Sequence, residues 1–133
     1  MKLKRTKKFT DIIRLHEKLF PVDDVCEIDG TINWLLMDNK KAVGFCMLKP
    51  LDDEIAFLHE SGVLTGYSGK GLQRRMIRCR ERYARKNGFS KIITYTKIHN
   101  VRSSVNLSRC GYQLYMPENQ YADDDCIYWI KHL

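Results

Sequence analysis

Between Glu60 and Met76 the chain reads ESGVLTGYSGKGLQRRM, and this stretch constrains the fold more than any other. An apolar run from Ile55 to Leu64 ends in a turn carrying Gly66, Gly69 and Gly71. Apolar residues then recur at helical spacing, at Leu72, Met76, Ile77, Cys79, Tyr83 and Ala84. The pattern predicts strand, glycine turn, helix. Glycines let backbone N–H groups converge because no Cβ blocks a close approach, and a helix start adds unpaired donors and the positive end of its dipole. A phosphate or pyrophosphate suits such a turn. Lys70, Arg74 and Arg75 place positive charge beside it, although a solvated helix face accounts for the two arginines equally well.

Two familiar phosphate loops fail on residue type. A dinucleotide fold wants GxGxxG with an acid at the end of a second strand, and here the third glycine is missing. A nucleotide triphosphatase loop wants GK followed by Ser or Thr, whereas Gly71 is followed by Leu72 and Gln73.

Ser68, Gly69, Lys70, Gly71, Leu72 and Gln73 instead resemble the acetyl-CoA loop of the GNAT superfamily of acyl-CoA N-acyltransferases. That loop runs Arg or Gln, two residues, Gly, one residue, Gly or Ala. Ser68 and Gln73 depart from it at the two ends, so the resemblance rests on Gly69 and Gly71. A second match follows downstream, where Asn100, Ser103, Gly111 and Tyr112 fall on a later family pattern of a helix opened by Asn and closed by Gly and an aromatic residue. The resemblance implies an α/β (α+β) fold, a mixed, mostly antiparallel sheet of about seven strands with three to four helices. It implies an acetyl-CoA-dependent N-acetyltransferase whose acceptor is a primary amine on a small molecule or a protein.

Carried over position by position, the resemblance gives the cofactor to Ser61, Gly62, Val63 and Leu64 in the strand before the loop. To these it adds Ser68, Gly69, Lys70, Gly71, Leu72, Gln73 and Arg74 in the loop and helix start, and Asn100 and Ser103 downstream. Asn100 also reads simply as a helix N-cap. Gly62 suits a place where a ligand's arm runs close to the backbone.

The base is expected at His59, where the similar arylalkylamine N-acetyltransferases carry a histidine; the glutamate of the histone-type enzymes would fall on Phe57. Histidine titrates in the range such a base needs, and a hydrogen-bonded structural histidine is the other reading. Strict alternation would put Phe57, His59 and Ser61 on one face and Leu58 and Glu60 on the other. Tyr95 falls where some ribosomal-protein acetyltransferases place a glutamate, and reads as a pocket wall. The family's proton-donating tyrosine falls on Leu107, which has no proton to give, leaving Ser108, Tyr112 or a water to serve the thiolate, or the thiolate to depart unassisted.

At 133 residues and 44% hydrophobic content, residues 1–133 are expected to form a single domain. No run of about eighteen apolar residues and no apolar leader occurs, so a cytoplasmic location without a membrane partner is expected. The five cysteines lack any CxxC pair, which argues for reduced thiols and no metal site. The net charge of +7 is uneven. Arg74, Arg75, Arg78, Arg80, Arg82, Arg85 and Lys86 share one predicted helix, and Lys2, Lys4, Arg5, Lys7 and Lys8 crowd the start. Two alternatives therefore stand beside the enzyme: a nucleic-acid-facing protein of this fold, and a CoA-binding module without catalysis. Asp23, Asp24 and Asp123 to Asp125 could attract a cationic acceptor. The chain is read as a monomer or homodimer.

Taken in order, the patterns predict an edge strand from Met1 to Lys8 and a helix from Phe9 stopped by Pro21. Strands follow from Cys26 to Met37 and from Lys41 to Lys49, then the glycine-loop strand and its helix. The chain closes with a strand from Phe89 to Lys97, a helix from Val101 to Arg109, and strands from Tyr112 to Met116 and Cys126 to His132.

Overall fold

A computed structural model describes residues 1–21, 23 and 28–133. Ten elements follow in the order expected. They are β1 (Lys2–Thr6), α1 (Thr10–Leu19), β2 (Ile32–Asp38), β3 (Lys41–Pro50), β4 (Ile55–Val63), α2 (Leu72–Lys86), β5 (Lys91–Lys97), α3 (Val101–Arg109), β6 (Gln113–Tyr115) and β7 (Cys126–His132). Among the described residues α1 is the only helix between β1 and β2. β2 begins later than predicted, because Asp29 and Gly30 form a turn with Gly30 at φ 74°. Cys26, where that strand was expected to start, and Asp24 lie outside the described residues.

One seven-stranded sheet runs in the order β1-β2-β3-β4-β5-β7-β6. Every neighbouring pair is antiparallel except β4 and β5. α1 covers one face through Ile12, Leu15 and His16, which pack with Leu35, Phe45 and Met47. α2 and α3 cover the other, burying Met76, Ile77, Ala84 and Leu107 against Trp34, Leu48, Leu58, Ile92 and Trp129. β1 is the lysine-bearing edge, a composition that discourages pairing with another chain.

Two irregularities position the site. β4 and β5 pair only over Ile55–Phe57 and Lys91–Ile93, so the sheet splits beyond Phe57. The β3–β4 register also slips. Cys46 faces Ser61 and Leu48 faces Leu58, leaving His59 and Glu60 together opposite Met47 as a β-bulge.

The bulge overturns the predicted alternation along β4. Ala56 and Leu58 point into the core beneath α2. Past the bulge it is Ser61 and Val63 that face α2, Ser61 donating from Oγ to Gln73 Oε1 at 3.0 Å. Ser61 thus lies on the opposite face from Phe57, whose ring stacks on Tyr95. Glu60 turns toward α1, with Oε2 2.7 Å from Nε2 of the buried His16, and Leu58 and Glu60 do not share a face.

Gly62 has a packing role that differs from the one expected. A Cβ there would come within 2.6 Å of Leu19 Cδ1, so its bare backbone lets α1 settle on β4.

Candidate active site

At the end of β4 the chain passes through Gly66, Gly69 and Gly71, with φ of 98°, 80° and 70°. These are left-handed values that cost any residue with a Cβ about 1–2 kcal/mol. A Cβ at Gly69 would meet nothing within 4 Å. Backbone conformation, with open space above it, is what calls for glycine here. Gly71 is the N-cap of α2 and offers no side-chain cap, leaving the first amides of the helix free to bind an anion.

This cradle opens into a cavity of about 540 Å³ between the start of α2 and the face of α3. Ser68, Gly69, Gly71, Leu72, Gln73 and Arg74 line one wall together with Val63. The opposite wall, which sequence reasoning missed, is Arg102, Val105, Asn106 and Arg109. Their helical spacing was the available signal, since it puts a basic stripe on the side of α3 that faces α2.

A second cavity, of about 250 Å³, fills the split between β4 and β5. Phe57, His59, Glu60 and Tyr95 line it from the face away from α2. Leu58, Ser61, Ile77, Arg80, Thr94, Thr96, Ser103 and Leu107 line it from the helix side. Gln73 and Asn106 line both cavities, so the two adjoin across these side chains.

The remaining predicted residues sit elsewhere. Leu64 donates its N–H to Val43 O at 2.8 Å and lines a third cavity beside α1. Lys70 extends over the Tyr67 ring. Asn100 caps α3, Oδ1 accepting from Ser103 N at 3.2 Å, as its local reading had it. Ser108 is exposed on α3, and Tyr112 is buried in the core under Lys131; neither lines either cavity. Burial pushes the Tyr112 phenol well above its ordinary range.

The side of the split away from α2 is aromatic. Phe57, Tyr95 and Tyr121 form a cluster with ring centroids 5.7, 6.3 and 6.1 Å apart, and the His59 ring lies 5.6 Å from Phe57. Burial raises the Tyr95 and Tyr121 phenols, which keeps both rings neutral. Glu60 adds a carboxylate at the rim. This surface suits a cation, which gains from ring faces and from a fixed anion together. Asp123 and Asp125 are already engaged by Lys97, at 3.1 and 2.9 Å.

The basic series on α2 does not form one patch. Arg80 is buried, Arg74 lines the larger cavity, Arg75 donates to Met1 O and Arg78 pairs with Glu81. Only Arg82, Arg85 and Lys86 remain as a solvated run. Among the described residues no group of His, Cys, Asp or Glu is placed to hold a metal, and no helix is long and apolar enough to cross a membrane.

Compared with known proteins, the sequence matches the Acetyltransferase (GNAT) family over residues 6–112. No curated protein matches it by sequence. Solved structures share the fold at low identity. The IAA acetyltransferase from Bacillus cereus ATCC 14579 superposes with a TM-score of 0.82 at 16% identity, covering 99% of each chain. A Bacillus subtilis acetyltransferase in complex with CoA gives 0.83 at 12%, covering 99% of this chain and 98% of that one. A GNAT family acetyltransferase from Elizabethkingia anophelis with acetyl-CoA bound gives 0.77 at 11%, covering 99% and 97%. With the family pattern spanning most of the sequence and the split sheet, glycine cradle and helix order all in place, the chain belongs to the GNAT acetyltransferase family.

Proposed function

We propose that this protein transfers an acetyl group from acetyl-CoA to a primary amine that arrives as a cation. The carrying observation is the shared wall of Gln73 and Asn106. It sets an anion cradle directly beside a cleft through the sheet, the arrangement that an extended donor with phosphates at one end and a thioester at the other requires. The neighbours crystallised with CoA and acetyl-CoA support the same donor.

In this reading the backbone around Gly69 and Gly71, the first amides of α2, and Arg74, Arg102 and Arg109 hold the phosphates. Ser61 and Val63 on β4, with Gln73 and Asn106, border the arm. Acetyl-CoA supplies an acyl carbon joined to a good leaving group. Glu60, steadied against His16, draws the ammonium in among Phe57, Tyr95 and Tyr121. His59, on the adjoining bulge residue, takes the proton directly or through a water, and the neutral amine then attacks through the split. The bulge places attraction and deprotonation on neighbouring residues, which strict alternation would have separated.

Titration calorimetry with acetyl-CoA, followed by a thiol-release assay across a panel of cationic amines, tests the assignment. Absence of binding removes it, and binding without turnover on any amine reduces the protein to a CoA-binding module. Gly71→Val is expected to weaken acetyl-CoA binding about tenfold or more, since roughly 1–2 kcal/mol of left-handed strain lands on the cradle. Unchanged affinity would mean the phosphates sit elsewhere. Glu60→Gln is expected to raise the KM for a cationic amine about tenfold while the KM for acetyl-CoA holds. An equal rise for a neutral amine would show that charge is not what Glu60 contributes.

A further inference from the structure

Among the described residues Arg80 is the largest fully buried side chain, 1% exposed on the inner face of α2. Its Nε donates to Met76 O at 3.1 Å, and its Nη1 donates to Met47 O at 3.1 Å and to His59 O at 2.9 Å. The latter two carbonyls lie on either side of the bulge. All three acceptors are neutral, and among the described residues no carboxylate lies within ion-pair distance of this guanidinium. The next residue behaves oppositely. Glu81, fully buried, is bridged by Arg78 at 3.1 Å and Lys131 at 3.0 Å.

A buried cation needs a counter-charge, and a guanidinium cannot escape the requirement by losing its proton. Hydrogen bonds to the bulge explain why a donor sits here, but not why it carries charge. Arg80 also lines the cleft between β4 and β5, in the same wall as Ile77 and Leu107. Leu107 contributes no proton. The missing anion is therefore one that comes and goes with the reaction.

We propose that Arg80 is the electrostatic partner of the departing CoA thiolate, doing by charge what Leu107 cannot do by proton donation. This rests on the acetyl transfer proposed above. The incoming ammonium loses its first proton through His59 to water; the neutral nitrogen then forms its bond to the acyl carbon, the carbonyl π pair moves onto oxygen, and the second nitrogen proton passes to His59. When the carbonyl re-forms, the C–S bond breaks with its electron pair on sulfur. The thiolate is balanced by the Arg80 guanidinium and takes a proton from water on release. Nothing is oxidised or reduced.

Ultraviolet titration of the CoA thiol bound to the wild-type protein tests this, read as a difference against the desulfo-CoA complex so that the protein's own thiols and phenols cancel. An opposite charge nearby lowers a thiol's pKa by about one to three units, so the bound thiol is expected to titrate at least one unit below free CoA. Arg80→Gln, which can still donate to the bulge carbonyls, is expected to return it to the free value. Arg80→Lys is expected to keep it low. In the same series kcat falls about tenfold or more for Arg80→Gln with the KM for acetyl-CoA unchanged, and Leu107→Tyr added to that variant restores most of the loss.

If wild-type protein binds CoA but leaves its thiol at or above the free value, the inference is overturned whatever the variants do. It is equally overturned if the thiol is lowered and Arg80→Gln leaves it lowered, or if that variant loses turnover with no change in the thiol. Failure to bind CoA at all would instead defeat the acetyl-transfer reading on which this one stands.

Discussion

Substituting His59 with glutamine is expected to lower kcat about a hundredfold at neutral pH, the lower end of what a positioned general base contributes. Acetyl-CoA affinity should not move, because the cradle at Gly69 and Gly71 lies at the other end of the space. The His59 ring lines the cleft on the face away from α2, and its backbone is fixed from below by the bond from Arg80 to its carbonyl. A base must be unprotonated to act. The wild-type kcat/KM is therefore expected to fall as pH is lowered and the base takes up its proton, and the glutamine variant to lose that limb while keeping any other. A variant that is slower by the same factor at every pH, with the acid limb intact, would return His59 to a structural role and leave Glu60 as the base to test.

The largest expected effect on stability lies at Glu81. This carboxylate is fully buried between Arg78 and Lys131, and Lys131 also donates to Cys110 O. Removing it as Glu81→Ala strands the Lys131 ammonium, whose side chain is 14% exposed, against the aromatic core around Tyr112. Breaking a buried pair from one side costs about 3 kcal/mol or more. Urea denaturation should show the midpoint falling with the slope unchanged. The double change Glu81→Leu with Lys131→Met should recover much of the loss, since it removes both charges at once. A single variant within about 0.5 kcal/mol of wild type would mean that Lys131 swings to water without cost.

The order of elements was legible because the two periods were clean. The stripe Ile12, Leu15, His16 and Leu19 announced α1, and Leu72, Met76 and Ile77 announced α2. The positive-φ turn was legible too, because glycine at Gly69 and Gly71 is the residue that such backbone demands. What escaped was whatever depends on distant partners. Nothing local to β4 signals that Met47 faces two residues, so Glu60 and Ser61 were put on the wrong faces. Gly62 read only as a ligand contact because Leu19, the side chain its bare backbone accommodates, lies far away in the sequence. Arg80 read as one more surface charge among many, and only the packing of α2 on the sheet reveals that it faces inward. The wall formed by Arg102 and Arg109 was written in the spacing of α3, but its relevance depends on what lies across from it.

The extra residue in β4 has a consequence for how this chain tolerates change in length. Deleting either His59 or Glu60 would make the count along β4 match that of β3 and restore an unbroken ladder, which in isolation is the more regular arrangement. Nothing downstream would turn over: Ser61 would still lie opposite Cys46 on the α2 side, and Gly62 opposite Phe45 on the α1 side. What would go is the placing of two consecutive side chains on one face, leaving a single residue opposite Met47 where imidazole and carboxylate now stand side by side. A one-residue shortening here would keep the sheet and remove half of what lines the cleft.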